Sequence, residues 1–190
     1  MKRSYLGILI TLISLAITIG CKKHLTYQEI LDVELAKDDR YDSLFYGIHF
    51  NMTTPAFLDH CFEMNQQKIF YQYGVGSEVI IKFEKGFKYP VDFVFFPNLE
   101  KHLIQELKGR FSYYGSNPFQ KDRGSHVLIA DLVRQMEKWY GGRKFIKMAA
   151  SEKWLPEIYI KIDGNRKITL EENIITGEVN VIYEDLKRIL

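Results

Sequence analysis

Asp59, His60 and Cys61 are the residue types that a cysteine nucleophile and its base require, and they stand together in the sequence. They lie in a segment predicted to be helical, where adjacent side chains point about 100° apart and do not face one another. Cys61 falls on the apolar face of that helix, together with Phe57, Leu58 and Phe62. We therefore interpret Cys61 as a small buried apolar residue and not as a nucleophile.

Metal and cofactor chemistry has no recognisable pattern in this chain. A metal site needs two or more convergent ligands. None of the histidines is paired at the i,i+4 spacing of a helix or the i,i+2 spacing of a strand: His24, His49, His60, His102 and His126. The motifs G-x-S-x-G and H-E-x-x-H and the phosphate-binding loop do not occur. The sequence predicts no catalytic residue, no metal and no cofactor, and leaves open an enzyme whose site is assembled from scattered residues.

The other cysteine, Cys21, follows a long apolar run near the start of the chain. Lys2 and Arg3 precede a stretch without charged residues from Ser4 to Gly20. A basic end, a short apolar core and a small residue at the cut are typical of a secretory signal peptide. The core is short for a transmembrane helix, which needs about 20 residues. We predict that residues 1–20 are a signal peptide.

Gly20-Cys21 resembles the lipobox of bacterial lipoproteins, with Thr18 where that motif usually has leucine. The resemblance implies cleavage before Cys21 and acylation of the cysteine by chains such as palmitate. More than one chain gives stable membrane anchoring, because each buried CH₂ contributes about 0.8 kcal/mol. By the same resemblance, Lys22 favours the outer membrane over the inner membrane, with the protein facing the periplasm. A signal peptide without lipidation, or an uncleaved anchor, is the alternative.

The composition of the remaining 170 residues excludes some partners. They carry 24 basic and 24 acidic residues, so no basic excess points to nucleic acid. Once Cys21 is acylated, Cys61 has no cysteine left for an internal disulfide. The whole chain holds 13 Phe and 12 Tyr, which are residue types suited to strands and interfaces.

We predict that residues 21–43 are a lipid anchor and tether. Thr26 and Glu29 match a capping box, which favours a helix over 27–36. A strand through Leu31, Val33 and Leu35 is an equally open alternative.

The rest of the chain is predicted to form an α+β fold of two tandem helix-plus-antiparallel-sheet units, 44–123 and 124–190, in two layers. In the first unit Thr54 caps a helix that begins with Pro55, and three strands follow. In the second unit Ser125 caps a helix that ends at Gly141-Gly142, and a hairpin turns at Asp163-Gly164. Trp139 and Tyr140 are predicted to lie in the core.

An internal match supports the tandem arrangement. EVIIKFEKG at 78 and EIYIKIDG at 157 share their pattern of acidic, apolar and lysine residues, 79 positions apart. Each copy follows a predicted amphipathic helix and precedes two more strands. Any two hairpins with alternating residues would also look alike, so a chance match is the alternative.

A second resemblance lies at GIHFNMTTP, where Gly47, Phe50, Met52 and Thr53 precede a helix. This pattern resembles the helix-plus-hairpin lipoproteins of the outer-membrane β-barrel assembly machine, and tandem copies resemble the β-lactamase inhibitor proteins. WYGG at 139 and KIDGNR at 161 are similar to pieces of uncharacterised lipoproteins of gut anaerobes. These likenesses imply an envelope protein with this type of fold and carry no activity.

The candidate interaction surface is the turn-rich segment 111–124, which joins the two halves. It carries Tyr113, Tyr114, Asn117 and Phe119, and surface loops often hold binding residues. The alternative is that the rings fold back over the end of the sheet.

These observations favour a non-enzymatic, lipid-anchored periplasmic module that binds or scaffolds an envelope protein. An inhibitor-like domain that grips an enzyme through its sheet is the alternative, and an exposed aromatic row on the sheet would favour it.

Overall fold

The computed structural model describes residues 25–74, 78–97, 102–115, 120–148 and 155–189. Their helices are α1 (Tyr27–Leu35), α2 (Thr54–Gln66), α3 (Ser125–Tyr140) and α4 (Leu186–Ile189), with a 3₁₀ turn at Lys121–Arg123. The strands are β1 (Ser43–Phe45), β2 (Ile48–His49), β3 (Phe70–Gln72), β4 (Val79–Phe83), β5 (Val91–Pro97), β6 (Glu106–Tyr113), β7 (Ile146–Met148), β8 (Ile158–Asp163), β9 (Arg166–Asn173) and β10 (Glu178–Asp185). The predicted α+β class is confirmed.

The two halves of the chain join in a single antiparallel sheet. β1 and β2 form a small hairpin, and the other eight strands follow the order β3-β4-β5-β6-β10-β9-β8-β7. β6 and β10 pair in the middle of the sheet, from Val179 opposite Phe111 to Glu184 opposite Glu106. Four strands follow each of α2 and α3, because the short strands β3 and β7 pair at the two ends of the sheet in addition to the three longer strands of each half.

One face of the sheet is covered by helices and the other stays largely open. α2, α3 and the β1–β2 hairpin pack on the covered face, whose core contains Phe57, Leu132 and a row of strand residues: Phe70, Ile81, Phe93, Phe95, Phe111, Leu170, Val179 and Val181. Among the described residues, only α1 and α4 pack on the opposite face, at its β8 end. Along the central strands, apolar residues that point to the covered face alternate with mostly polar residues on the open face, as expected for an antiparallel sheet with one solvated side.

Two glycines mark close approaches in this packing. Gly109 in β6 lies beneath the ring of Phe93, and a Cβ there would meet Phe93 Cε2 at 2.5 Å. The missing side chain lets Phe93 stack on Phe111, with ring centroids 4.1 Å apart. Gly142 has φ +63° and follows α3, so the predicted glycine stop of this helix is confirmed.

The helix starts differ slightly from the prediction. The capping box of Thr26 and Glu29 is present and settles the open choice at α1 in favour of a helix. The cap of α2 is Thr53, whose hydroxyl accepts from the Ala56 N–H, and not Thr54. Ser125 is the first residue of α3 and is buried, so the capping position falls on Gly124. Both caps lie one residue earlier than predicted. The capping residue keeps an extended backbone, which Thr53 and Gly124 have, while Thr54 and Ser125 are already helical.

The segment 21–43 was predicted to be a tether, but its described part packs on the sheet. Ile30 of α1 is buried against Ile160, Ile162 and Leu186. A tether has no such apolar contacts, so residues 27–43 belong to the folded body. Cys21 lies outside the described residues, as does the predicted signal peptide.

The internal sequence match does not place equivalent residues on the same face. β4 and β8 are each the second strand of a run of four, yet Lys82 is exposed on the open face and Lys161 is fully buried under the loop after α3. A one-residue offset in a strand moves every side chain to the other face. The order of elements recurs in both halves, and the tandem repeat stays a prediction.

Candidate functional site

The predicted surface 111–124 separates into a buried and an exposed part. Tyr113 is 1% exposed, and its hydroxyl donates to Asp131 Oδ2 of α3 over 2.6 Å. Tyr113 continues the inward alternation of Phe111 in β6, so it closes the core and is not available to a partner. Tyr114 points the other way and is 60% exposed. Asn117 and Phe119 lie outside the described residues.

Asp131 has a structural role in this region. It accepts hydrogen bonds from the Tyr113 hydroxyl, from Lys88 N–H at 2.7 Å and from Arg134. Burial alone would raise the pKa of Asp131, but these hydrogen bonds hold it below its usual value. Burial and the hydrogen bond to Asp131 raise the pKa of Tyr113. The pair fixes α3 to the sheet and to the loop after β4.

Large exposed apolar side chains gather instead around β3, the terminal strand of the sheet. Phe62 and Leu58 of α2 are 65% and 51% exposed, and Tyr71 and Tyr73 in and after β3 are 40% and 43% exposed. We call these four residues the β3-edge surface. Side chains of this size are usually buried, and a cluster of them on one edge marks a binding surface more often than a scattered few do.

The orientation of α2 on the sheet accounts for the two helical residues of this surface, Leu58 and Phe62. Only Phe57 of the predicted apolar face is fully buried, while Leu58 and Phe62 lie on the outer flank of the helix. Cys61, which was predicted to be buried, is half-buried. A groove of about 300 Å³ runs between α2 and β3.

Polar residues continue the surface onto the open face of the sheet. The ammonium of Lys82 lies 5.9 Å from the Tyr71 ring centroid and 5.8 Å from that of Tyr114. Arg110 lies 5.6 Å from the Tyr73 ring and pairs with both carboxylate oxygens of Glu78 at 3.1 Å. These cation–π contacts and the bidentate pair limit the number of conformations that the long side chains adopt.

The residue types that suggested nucleophilic chemistry are not brought together. The His60 ring donates from Nε2 to the Tyr46 carbonyl oxygen at 2.6 Å and packs against Phe70. Cys61 is half-buried beside the groove, and burial raises the pKa of its thiol to about 11. A thiol with that pKa holds very little thiolate at neutral pH.

Sequence reasoning gave no role to the hairpin turn between β8 and β9, and the structure shows a buried polar cluster there. Lys161 donates to the carbonyl oxygens of Gly141 and Arg143 and pairs with Asp163 Oδ2 at 2.9 Å. Asn165 donates to Asp42 and Asp185 and accepts from Tyr41 N–H. The turn therefore ties together the N-terminal segment, the loop after α3 and the end of β10.

Glu34 of α1 completes this cluster. It pairs with Lys37 at 2.7 Å, accepts from Arg143 and accepts the Gly164 N–H at 3.1 Å. Burial opposes ionisation of Glu34, but these three hydrogen bonds lower its pKa to about 2. The charged carboxylate thus fastens α1 to the β8–β9 turn at neutral pH.

Within the described ranges, no three His, Cys, Asp or Glu side chains converge in a way that could hold a metal ion. No described helix has the length and apolar character needed to cross a membrane. Comparisons of the chain with protein-family models, with curated proteins and with solved structures gave no match.

Proposed function

We propose that this protein is a lipid-anchored binding module of the bacterial envelope and that its β3-edge surface contacts a protein partner. The observation that supports this proposal is the grouping of four large, exposed apolar side chains at a terminal strand. Tyrosine and arginine are over-represented among the residues that dominate binding energy at interfaces. The β3-edge surface and the adjoining Arg110 supply both types.

The groove between α2 and β3 adds a second feature to this surface. Leu58, Phe62 and Tyr71 line the groove, so a side chain of the partner can enter it while the exposed rings pack around that side chain.

A photocrosslinking experiment in intact cells tests this surface. A photoreactive amino acid at position 62 or 71 is expected to give one discrete crosslinked product, because these side chains lie in the interface. The same amino acid at Ile175, which is 87% exposed in the β9–β10 turn, is the matched control and is expected to give none. Equal crosslinking at all three positions, or none at 62 and 71, would contradict the proposal.

An inhibitor-like domain is the second candidate function, and one observation favours it. Tyr71, Tyr73 and Tyr114 are exposed on the open face of the sheet, and the ammonium of Lys82 lies near the rings of Tyr71 and Tyr114. A partner that is an enzyme, and whose activity falls on addition of the purified protein, would separate this function from a scaffold. The triple change of these tyrosines to serine should then restore the partner's activity.

Lipid anchoring through Cys21 has its own test. The variant Cys21→Ser is expected to lose incorporation of an alkyne-labelled fatty acid and to leave the membrane fraction, because the predicted acyl chains are carried by this cysteine. Cys61→Ser is the matched control, since it removes the other cysteine, and it should keep both label and membrane association. Label retained in Cys21→Ser would refute the predicted site.

A further inference from the structure

A second cavity, unrelated to the β3-edge surface, lies between the two halves of the chain. It has a volume of about 510 Å³, within the range of small-molecule sites. The first half contributes the segment 41–46 together with Phe83 and Lys85, and the second half contributes the end of α3 and Arg166. We call this cavity the inter-half cleft.

The walls of the inter-half cleft are aromatic. They include Trp139, which was predicted to be core and is 41% exposed at the end of α3 because it faces the cleft. The Trp139 ring lies 5.4 Å from that of Phe83, and other rings complete the wall: Tyr41, Phe45, Tyr46 and Tyr140. Flat, rigid walls of this kind suit a ligand with a ring.

The charges that line the inter-half cleft have one sign. Its charged lining residues are Lys85 and Arg166. Lys85 is exposed and makes no ion pair with another described residue. Aromatic walls alone would also suit a quaternary ammonium ligand, but two lining cations repel one. The cleft is therefore complementary to an anion.

Arg166 is held in place and keeps spare hydrogen-bonding capacity. It is 4% exposed, donates to Ser43 O at 2.7 Å and lies 4.4 Å from the Tyr140 ring centroid. Its Nε is buried and has no partner among the described residues. Its carboxylate, Asp163, is shared with Lys161, so one acid faces two cations. Arg166 therefore adds a fixed positive charge to the wall of the cleft, and a guanidinium matches the planar geometry of a carboxylate.

We propose that the inter-half cleft binds a small carboxylate carried on a ring, with the ring against Trp139 and Phe83 and the carboxylate toward Arg166 and Lys85. This site shares no residue with the β3-edge surface, so its test is independent of the test of the proposed function.

Full-length protein labelled with fluorotryptophan and purified in detergent tests this assignment by fluorine NMR. The probes are phenylacetate and its neutral analogue phenylacetamide, and the Trp139 signal is identified by its loss in Trp139→Phe. We expect phenylacetate to shift that signal and to bind at least about tenfold more tightly than the amide, because hydrogen bonds to charged groups are the strong ones. Equal affinities, or no shift at about 10 mM probe, a concentration suited to weak ligands, would overturn the proposal.

Lys85→Met is the variant that tests the charge of the cleft. A change of Arg166 would also affect folding, because Arg166 bonds to the Ser43 carbonyl oxygen, whereas Lys85 is exposed. Lys85→Met is expected to lower the preference for the acid over the amide severalfold and to leave amide binding unchanged. Phe62→Ser, on the β3-edge surface, is the matched control and should bind both probes as the unchanged protein does. A preference that is the same in Lys85→Met as in the control would overturn the assignment.

Discussion

Replacing Asp163 by alanine is expected to lower the free energy of unfolding by about 3–5 kcal/mol, which is the usual cost of removing one partner from a buried ion pair. Asp163 accepts from Arg143 N–H at 3.1 Å and pairs with Lys161 at 2.9 Å and with Arg166 at 3.3 Å. Lys161 is fully buried and Arg166 nearly so. Without the carboxylate, two buried cations would face each other with no compensating charge.

Urea denaturation followed by circular dichroism measures this change through the unfolding midpoint. Asp163→Asn separates charge from hydrogen bonding, because the amide still accepts a hydrogen bond, and it should fall between the wild type and Asp163→Ala. Glu157→Ala is the matched control, since Glu157 pairs with Lys147 on the surface, and exposed pairs contribute little. A midpoint for Asp163→Ala equal to that of the control would show that the cluster does not stabilise the fold.

Features set by neighbouring residues were predictable from the sequence. The capping box at Thr26 and the glycine stop after α3 depend on residues within a few positions. The β8–β9 hairpin was also predicted, although its two-residue turn is Gly164-Asn165, one position later than Asp163-Gly164. Alternating apolar residues predicted β4, β5 and β10 for the same reason. Together these local signals were enough for the α+β class.

Side-chain direction in β6 could also have been predicted and was not. Every second residue of β6 points to the covered face, among them Leu107 and Phe111. Continuing this period of two beyond Phe111 makes Tyr113 buried and Tyr114 exposed. The prediction treated the segment from Phe111 as a loop, where alternation has no meaning. The strand in fact continues to Tyr113.

The buried cluster at the β8–β9 turn lay beyond sequence reasoning. Three partners of Asn165 and Gly164, namely Tyr41, Asp42 and Glu34, are more than 120 residues away in the chain. No local pattern distinguishes Lys161, which is buried, from Lys82, which is exposed in a nearly identical sequence. Only the strand register and the loop after α3 decide between them.

Separating the chain at the predicted boundary into residues 21–123 and 124–190 is expected to leave both pieces unfolded. The core that α3 covers contains residues from both halves, among them Phe93, Phe111, Leu132 and Val179. α3 contacts β9 and β10 of its own half and β6 of the other. Without α3, the first piece would expose its inward aromatic row, and without β6 the second would lose the partner of β10.

Circular dichroism and amide NMR dispersion of each piece measure this result, and the two pieces expressed together are the control. Co-expression should restore the dispersion of the intact chain, because the six residue pairs between β6 and β10 and the Tyr113–Asp131 hydrogen bond can re-form. A piece that unfolds cooperatively on its own would be contrary to this expectation. It would show that the tandem halves are independent domains, each with a complete core. If neither piece folds, the halves are instead two parts of one cooperative sheet, and the inter-half cleft exists only when both are present.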